Sequence, residues 1–276
     1  MRPANEVSTA RIKSGDVRYL RTGSGAPLVL LHTLRTQLEY FDRLIAELDT
    51  TRFEVFAADL VGHGQSSAPP ADYTASFFTD AVAELLDVWG VEGAVVSGDS
   101  IGGAIALGLA ARGNRRTARV VAVNPYDYGQ GARRSSALGG VIFEMVLWPG
   151  VGPLVARAGT PGVLRRILEG GVHDKRVLPA ELVDDLYQCG RLPGHADAFR
   201  SLNRNWKSWV QTRHEYRSIT TPVSLVYGDH DWSRPAERDA NANTIPNAGR
   251  TNLSGCGHFA SLEKPTEIAR VISNAA

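Results

Sequence analysis

Val95-Val96-Ser97-Gly98-Asp99-Ser100-Ile101-Gly102-Gly103-Ala104-Ile105-Ala106-Leu107 is the stretch that decides the fold. The run Val91 to Val96 predicts a buried strand, and Ile101 to Arg112 predicts a helix of small and apolar residues. Between them stands G-x-S-x-G: Gly98, Asp99, Ser100, Ile101, Gly102. A serine at such a turn takes a strained backbone conformation that lifts its hydroxyl clear of strand and helix. The residues two before and two after it then come close together, and glycine at both places removes the clash. The plainer reading is a glycine-rich turn with a surface serine. The strand before and the helix after favour the first reading.

Outward from this stretch, strands alternate with helices. Upstream, Phe77, Phe78, Ala81, Val82, Leu85 and Val88 fall at helical spacing. Before them Phe53 to Ala58 reads as a strand running into Asp59-Leu60-Val61-Gly62-His63-Gly64-Gln65-Ser66. Leu38, Phe41, Leu44, Ile45 and Leu48 predict a helix, and Leu28 to Leu31 a strand buried on both faces, ending at His32. Val7 to Lys13 and Val17 to Arg21 flank Ser14-Gly15-Asp16 as an opening hairpin. Downstream, Val120 to Val123 is the sixth strand. From 127 to about 217 no buried strand is evident, and glycine and proline interrupt helical patterns. The rhythm resumes with a strand at Val223 to Tyr227, a helix near Pro235 to Ala242, a short strand around Thr251 to Leu253 and a closing helix from Pro265 to Asn274. The fold class is therefore α/β, with a mostly parallel central sheet flanked by helices. Its core is expected at 1–126 and 218–276. Residues 127–217 form a helical insertion after the sixth strand that caps the carboxyl edge. Ligands of such sheets bind at that edge, where His32, Asp59, Ser100 and Asn124 fall.

Composition narrows the class of function. The chain has 276 residues, 43% hydrophobic and 21% charged, so it can bury a sizeable core. A net charge of +1 gives no reason to expect nucleic acid or an anionic membrane as partner. No apolar run is long enough to span a bilayer, and Met1 to Lys13 has no apolar core of a signal peptide. Cys189 and Cys256 are too few and too far apart for a disulfide framework or a metal cluster. The expectation is a cytoplasmic protein without metal or cofactor whose partner is a small-molecule substrate. A homodimer is compatible with the sequence, which does not fix the oligomeric state.

A serine hydroxyl needs a base in hydrogen-bond reach, itself oriented by a third group. Of seven histidines, His258 is the candidate base, in the glycine-rich loop Gly255-Cys256-Gly257-His258-Phe259 between the last strand and last helix. His63 and His32 read as loop and scaffold residues, and His230 as a supporting one. His173, His195 and His214 lie in the insertion. In Tyr227-Gly228-Asp229-His230-Asp231, Asp231 is the candidate acid and Asp229 a loop-holding residue, with Asp127 as the alternative acid. Donors for a developing oxyanion are expected from the backbone N–H of Ile101 and from the loop after Leu31, at Leu34 or a near neighbour.

Together these residues resemble the α/β-hydrolase superfamily, in its cap-bearing branch of esterases, cofactor-free haloperoxidase-like enzymes and carbon–carbon bond hydrolases. The likeness rests on the strand ending at His32, Asp59 to Ser66, Gly98 to Gly103, and the pair Gly228 to Asp231 with Gly255 to Phe259. It covers the core and leaves the cap undefined. The order Ser100, Asp231, His258 is the serine–acid–histidine order of that superfamily. Two departures stand out. His32 is followed by Thr33-Leu34-Arg35-Thr36 where glycine is usual, which makes Thr33 and Arg35 candidate substrate contacts. Asp99 precedes the nucleophile where histidine or glutamine is common. It either acts on the site or faces away and bonds to loop backbone. In the cap, Trp148, Trp206 and Trp209 are candidate pocket residues, each weighed against a plain core role, and Phe259 is a further candidate. One of the cap arginines (133, 134, 157, 165, 166, 200 and 204) facing the cleft would select a carboxylate-bearing substrate. The resemblance implies a serine hydrolase of small to medium, largely apolar esters, thioesters or lactones. The alternatives are a carbon–carbon bond hydrolase of vinylogous diketones and a non-hydrolytic binding protein.

Overall fold

The chain opens with a hairpin in which β1 (Glu6–Ile12) and β2 (Gly15–Gly23) run antiparallel, Ile12 opposite Gly15. The computed structural model describes residues 6–275, so the first five residues of the Met1–Lys13 segment and Ala276 lie outside it. Six further strands follow: β3 (Ala26–Leu31), β4 (Phe53–Ala58), β5 (Ala94–Asp99), β6 (Thr117–Val123), β7 (Val223–Gly228) and β8 (Gly249–Leu253). Their order in the sheet is β1-β2-β4-β3-β5-β6-β7-β8. β2 pairs antiparallel with β4, and every pairing from β4 to β8 is parallel. β5 starts later than the apolar pattern predicts. Gly93 turns the chain at a φ of +65°, and the strand begins only at Ala94.

The helices are α1 (Asp42–Glu47), α2 (Ala75–Trp89), α3 (Ile101–Ala111), α4 (Ala137–Val146), α5 (Gly152–Arg157), α6 (Pro161–Leu168), α7 (Ala180–Cys189), α8 (His195–Arg204), α9 (Trp206–Gln211), α10 (Pro235–Thr244), α11 (Ala260–Glu263) and α12 (Pro265–Ala275). The central strands read as continuous apolar runs because both faces are covered. Val29, Leu31, Phe56, Val96 and Leu225 pack on one face with Phe78, Val82 and Leu85 of α2 and Ile105 and Leu109 of α3. Their alternate neighbours Leu28, Leu30, Val55, Val95 and Val226 pack on the other face with Leu44 and Ile45 of α1 and Ile268 and Ile272 of α12. The period of two along each strand thus divides one apolar sequence between two cores.

Helices α4 to α9 lie between β6 and β7, and no strand occurs there among the described residues. They are fastened to loops at the carboxyl edge. His195 Nε2–H donates to the Gly64 carbonyl (3.1 Å), the Tyr73 N–H donates to Ser201 Oγ (3.1 Å), and the Phe259 N–H donates to the Gly171 carbonyl (2.8 Å). No helix among the described residues is long and apolar enough to cross a membrane.

Candidate active site

Ser100 sits between β5 and α3 at φ 59° and ψ −115°, a left-handed conformation that costs a non-glycine residue on the order of 1 kcal/mol or more. The turn tolerates no side chain beside it. A Cβ on Gly98 would lie 2.3 Å from the Gly102 carbonyl carbon, and one on Gly102 would lie 2.0 Å from the Leu31 carbonyl oxygen. This second contact also sets the elbow against the loop that follows β3. The Ser100 N–H donates to the Val123 carbonyl (2.8 Å), and the Ser100 carbonyl accepts from the Tyr126 N–H (2.9 Å).

The hydroxyl donates to His258 Nε2 at 2.8 Å. On the far side of the ring, His258 Nδ1–H donates to Asp231 Oδ1 in a short hydrogen bond. The bond to an ionised acceptor places the proton on Nδ1 and leaves Nε2 free to accept. All three residues are buried, Ser100 at 1% exposure and His258 at none. Burial pushes the Asp231 carboxyl up, but the neighbouring His258 and the hydrogen bonds from His258 and Ser233 outweigh it and hold the group below its ordinary value. Asp231 Oδ2 accepts from the Ser233 N–H (2.9 Å) and the Ser233 hydroxyl, and Arg238 Nε in turn donates to Ser233 Oγ (2.8 Å).

The histidine loop is fixed from three sides. Asn124, just past β6, donates through Nδ2 to the carbonyls of Gly257 and His258 (3.0 Å each) and accepts the Gly228 N–H (2.9 Å). Asp229 accepts the N–H groups of Gly255 and Cys256 (3.0 Å each). Trp232 lies flat on the His258 ring, with centroids 3.7 Å apart and planes 14° apart, while its Nε1–H donates to Gly170 of the insertion (2.8 Å). Sequence reasoning assigned no role to Trp232, Ser233 or Arg238. Their signal was adjacency to Asp231 and one helical turn beyond it. Asn124 was visible only as a residue at a strand end.

The backbone N–H groups of Ile101 and Leu34 have no partner among the described residues. The Thr33 carbonyl closes a tight turn, accepting His32 Nδ1–H, Thr36 Oγ1–H (both 2.8 Å) and the Thr36 N–H (3.3 Å). Threonine in place of glycine is thus accommodated by a turn that Thr36 ties down. His32 Nε2 accepts the Leu60 N–H (2.9 Å), and burial lowers its pKa to about 4, so it stays neutral and structural. Arg35 stands at φ 56° with its guanidinium 4.5 Å from the Phe199 ring centroid, at the edge of two cavities.

Other expected contacts lie elsewhere. Asp99 turns away from the site. It accepts from the Tyr40 hydroxyl (2.6 Å), the Ser261 hydroxyl (2.6 Å) and the Ser261 N–H (3.0 Å), and burial raises its pKa. Trp209 is fully buried against Phe78, with ring centroids 5.6 Å apart, because α9 packs its apolar face on α2. Trp148 is 53% exposed at the end of α4. Trp206 borders a small cavity beside Tyr126 and Phe143. Phe259 is buried, edge-on to Tyr40 and Trp232, and serves as packing behind the histidine. Asp127 does not reach His258. It accepts from Tyr216 Oη (3.1 Å) and Asn241 Nδ2 (2.8 Å) through one oxygen, and burial pushes its pKa up to about 7 against the pull of Arg213. The insertion arginines 133, 134, 157, 165 and 200 pair with acids, and 166 and 204 are exposed. Cys189 and Cys256 are free thiols, and the described residues hold no cluster able to bind a metal ion.

Known proteins resemble this chain in sequence or in fold. The 2-hydroxymuconate semialdehyde hydrolase of Pseudomonas putida is 25% identical over 229 residues, 80% of this chain and 75% of that protein. A dihydrolipoyllysine-residue acetyltransferase component of an acetoin cleaving system from Cupriavidus necator is 28% identical over 259 residues, 91% of this chain and 64% of that protein. Among solved structures, the epoxide hydrolase CorEH superposes with a TM-score of 0.82 at 23% identity, over 99% of this chain and 98% of that one. A serine hydrolase of carbazole degradation superposes at 0.79 and 17% identity, over 98% of each chain. A family model described as the alpha/beta hydrolase fold matches residues 26–265. With its eight-stranded, mostly parallel sheet and a serine at the elbow after β5, the chain belongs to the α/β-hydrolase fold family.

Proposed function

We propose that the chain is a serine hydrolase that cleaves a small to medium, largely apolar carboxylic ester, thioester or lactone through an acyl-enzyme. The observation that carries the reading is the 2.8 Å hydrogen bond from Ser100 Oγ to a histidine whose other nitrogen is held by a buried carboxylate. Ser100 attacks the carbonyl carbon, and His258 takes the hydroxyl proton at Nε2. Asp231 keeps the ring in the needed tautomer and stabilises the imidazolium. The free N–H groups of Ile101 and Leu34 receive the oxyanion, Ile101 at the positive end of α3. His258 returns its proton to the leaving group as that bond breaks, then draws one from water, whose oxygen attacks the acyl carbon, and passes that proton to Ser100 Oγ as the serine–acyl bond breaks and the acid departs. Residues 127–217 act as the cap of a core formed by 1–126 and 218–276.

Relatives named as 2-hydroxymuconate semialdehyde hydrolases favour a second reading, in which the same three residues cleave a carbon–carbon bond. Turnover of a panel of short esters, thioesters, lactones and vinylogous diketones separates the two. Under either reading Ser100→Ala loses nearly all turnover while its circular dichroism stays that of the parent. Undiminished turnover in the variant would sink both.

A further inference from the structure

Arg35 carries a positive charge that the free protein leaves unanswered. Burial lowers its pKa to about 10, so the guanidinium is still charged near neutral pH. Among the described residues no oxygen accepts a hydrogen bond from its side chain and no carboxylate pairs with it; its close neighbours are the Phe199 ring and Gly190, where a Cβ would lie 3.3 Å from Nη2. Two other arginines on the same cavity differ: Arg157 pairs with Asp197 (3.3 Å), and Arg191 donates to the Tyr187 hydroxyl (3.3 Å). A half-buried cation without a partner is costly, and an aromatic face offsets only part of that cost. The residue is also held at a φ of 56°, where a side chain is disfavoured.

The surroundings say what the missing partner is attached to. Arg35 lies at the edge of a cavity of about 260 Å³ walled by Ile142, Val146, Val163 and Leu164 of the insertion. It directly follows Leu34, whose N–H is free, on the loop that Gly102 touches at the Leu31 carbonyl. One cation on the wall of an apolar chamber, carried by the loop that abuts the serine elbow, matches one molecule carrying a hydrocarbon segment, a carboxylate and a scissile carbonyl. We propose that Arg35 binds the carboxylate of a half-ester substrate whose hydrocarbon part fills this chamber. The inference rests on the serine-hydrolase reading above and narrows its substrate class. A planar guanidinium suits a carboxylate because two parallel N–H donors match its two oxygens.

The test compares kcat/KM for the monomethyl and dimethyl esters of adipic and suberic acid, near pH 8, in the full chain and in Arg35→Gln and Arg35→Lys. The parent should favour the half-ester by about ten- to a hundredfold, the scale of a hydrogen-bonded charged pair. The preference should fall to about unity in Arg35→Gln and be partly kept in Arg35→Lys. The ratio is the readout, so a general loss of activity does not mimic the result. Calorimetric binding of monomethyl suberate to Ser100→Ala, with and without Arg35→Gln, reads the same preference without turnover. Turnover of dimethyl esters with no half-ester preference overturns the role of Arg35 and leaves the hydrolase reading standing. An unreactive Ser100 with half-ester binding that depends on Arg35 overturns the hydrolase reading instead. A preference that survives Arg35→Gln overturns the inference outright.

Discussion

Asp127 is a buried carboxyl with one oxygen bonded to Tyr216 and Asn241 and the other without a partner among the described residues. Replacing it with asparagine keeps the shape and removes the charge. Holding the group at about 7 instead of its ordinary 3.8 means that its ionised form costs about 4 kcal/mol in the folded state, at about 1.4 kcal/mol per pH unit. The folded state therefore binds more protons than the unfolded one between about pH 4 and pH 7. This group's contribution to stability falls as pH rises through that window and is constant on either side. Asp127→Asn removes the slope. Urea unfolding of parent and variant from pH 4 to pH 8.5 should show a difference near zero at the acid end, growing in the variant's favour to a few kcal/mol above pH 7. The same variant should keep its esterase turnover, because Asp127 does not touch His258. Asp231→Asn should lose about 10³- to 10⁴-fold in kcat, since the ring loses the acceptor that fixes its tautomer. Parallel stability curves would refute the account of a strained carboxyl. Loss of turnover in Asp127→Asn comparable to that in Asp231→Asn would refute the assignment of the acid.

Three further outcomes follow from the geometry. Gly102→Ala pushes a methyl to 2.0 Å from the Leu31 carbonyl oxygen and should cost about 3 kcal/mol or more, or abolish folding. Gly162→Ala in α6, with nothing nearer than 3.8 Å, should be neutral or stabilising by about 0.5–1 kcal/mol; thermal melts of the two variants check the contrast. Trp232→Leu removes the ring stacked on His258 and should lower kcat by about 3- to 30-fold with little change in KM, while Trp232→Phe keeps part of the rate. Equal steady-state kinetics in parent and Trp232→Leu would show that the stack only fills space.

The core was legible because its strands carry apolar runs long enough to be buried on both faces, and because glycines at 98 and 102 mark a strand-to-helix turn that admits no side chain. The three side chains joined by hydrogen bonds at the elbow are the ones the sequence singles out, since each sits just past a strand end on the same edge. What sequence could not supply is orientation across long separations. Asp99 faces away because Tyr40, 59 positions earlier, and Ser261, 162 positions later, claim its oxygens. Trp209 and Trp206 stand at helical spacing in one short segment, yet one is buried on α2 and the other borders a cavity. Periodicity names a face of a helix but not what covers it. The guanidinium on the cavity wall that pairs with no carboxylate among the described residues comes from the loop after β3, whereas Arg133, Arg157, Arg165 and Arg200 of the insertion pair with acids of the insertion itself and Arg134 with Glu237 of α10.

The most direct measurement is labelling of the full chain with a fluorophosphonate at mildly alkaline pH, with the modified peptide located by mass spectrometry. The account predicts one stoichiometric adduct on Ser100, lost in Ser100→Ala and slowed in Asp231→Asn. Folded protein that takes no label at Ser100, with or without the Asp231 substitution, would contradict an activated serine and leave a ligand-binding protein on a hydrolase fold.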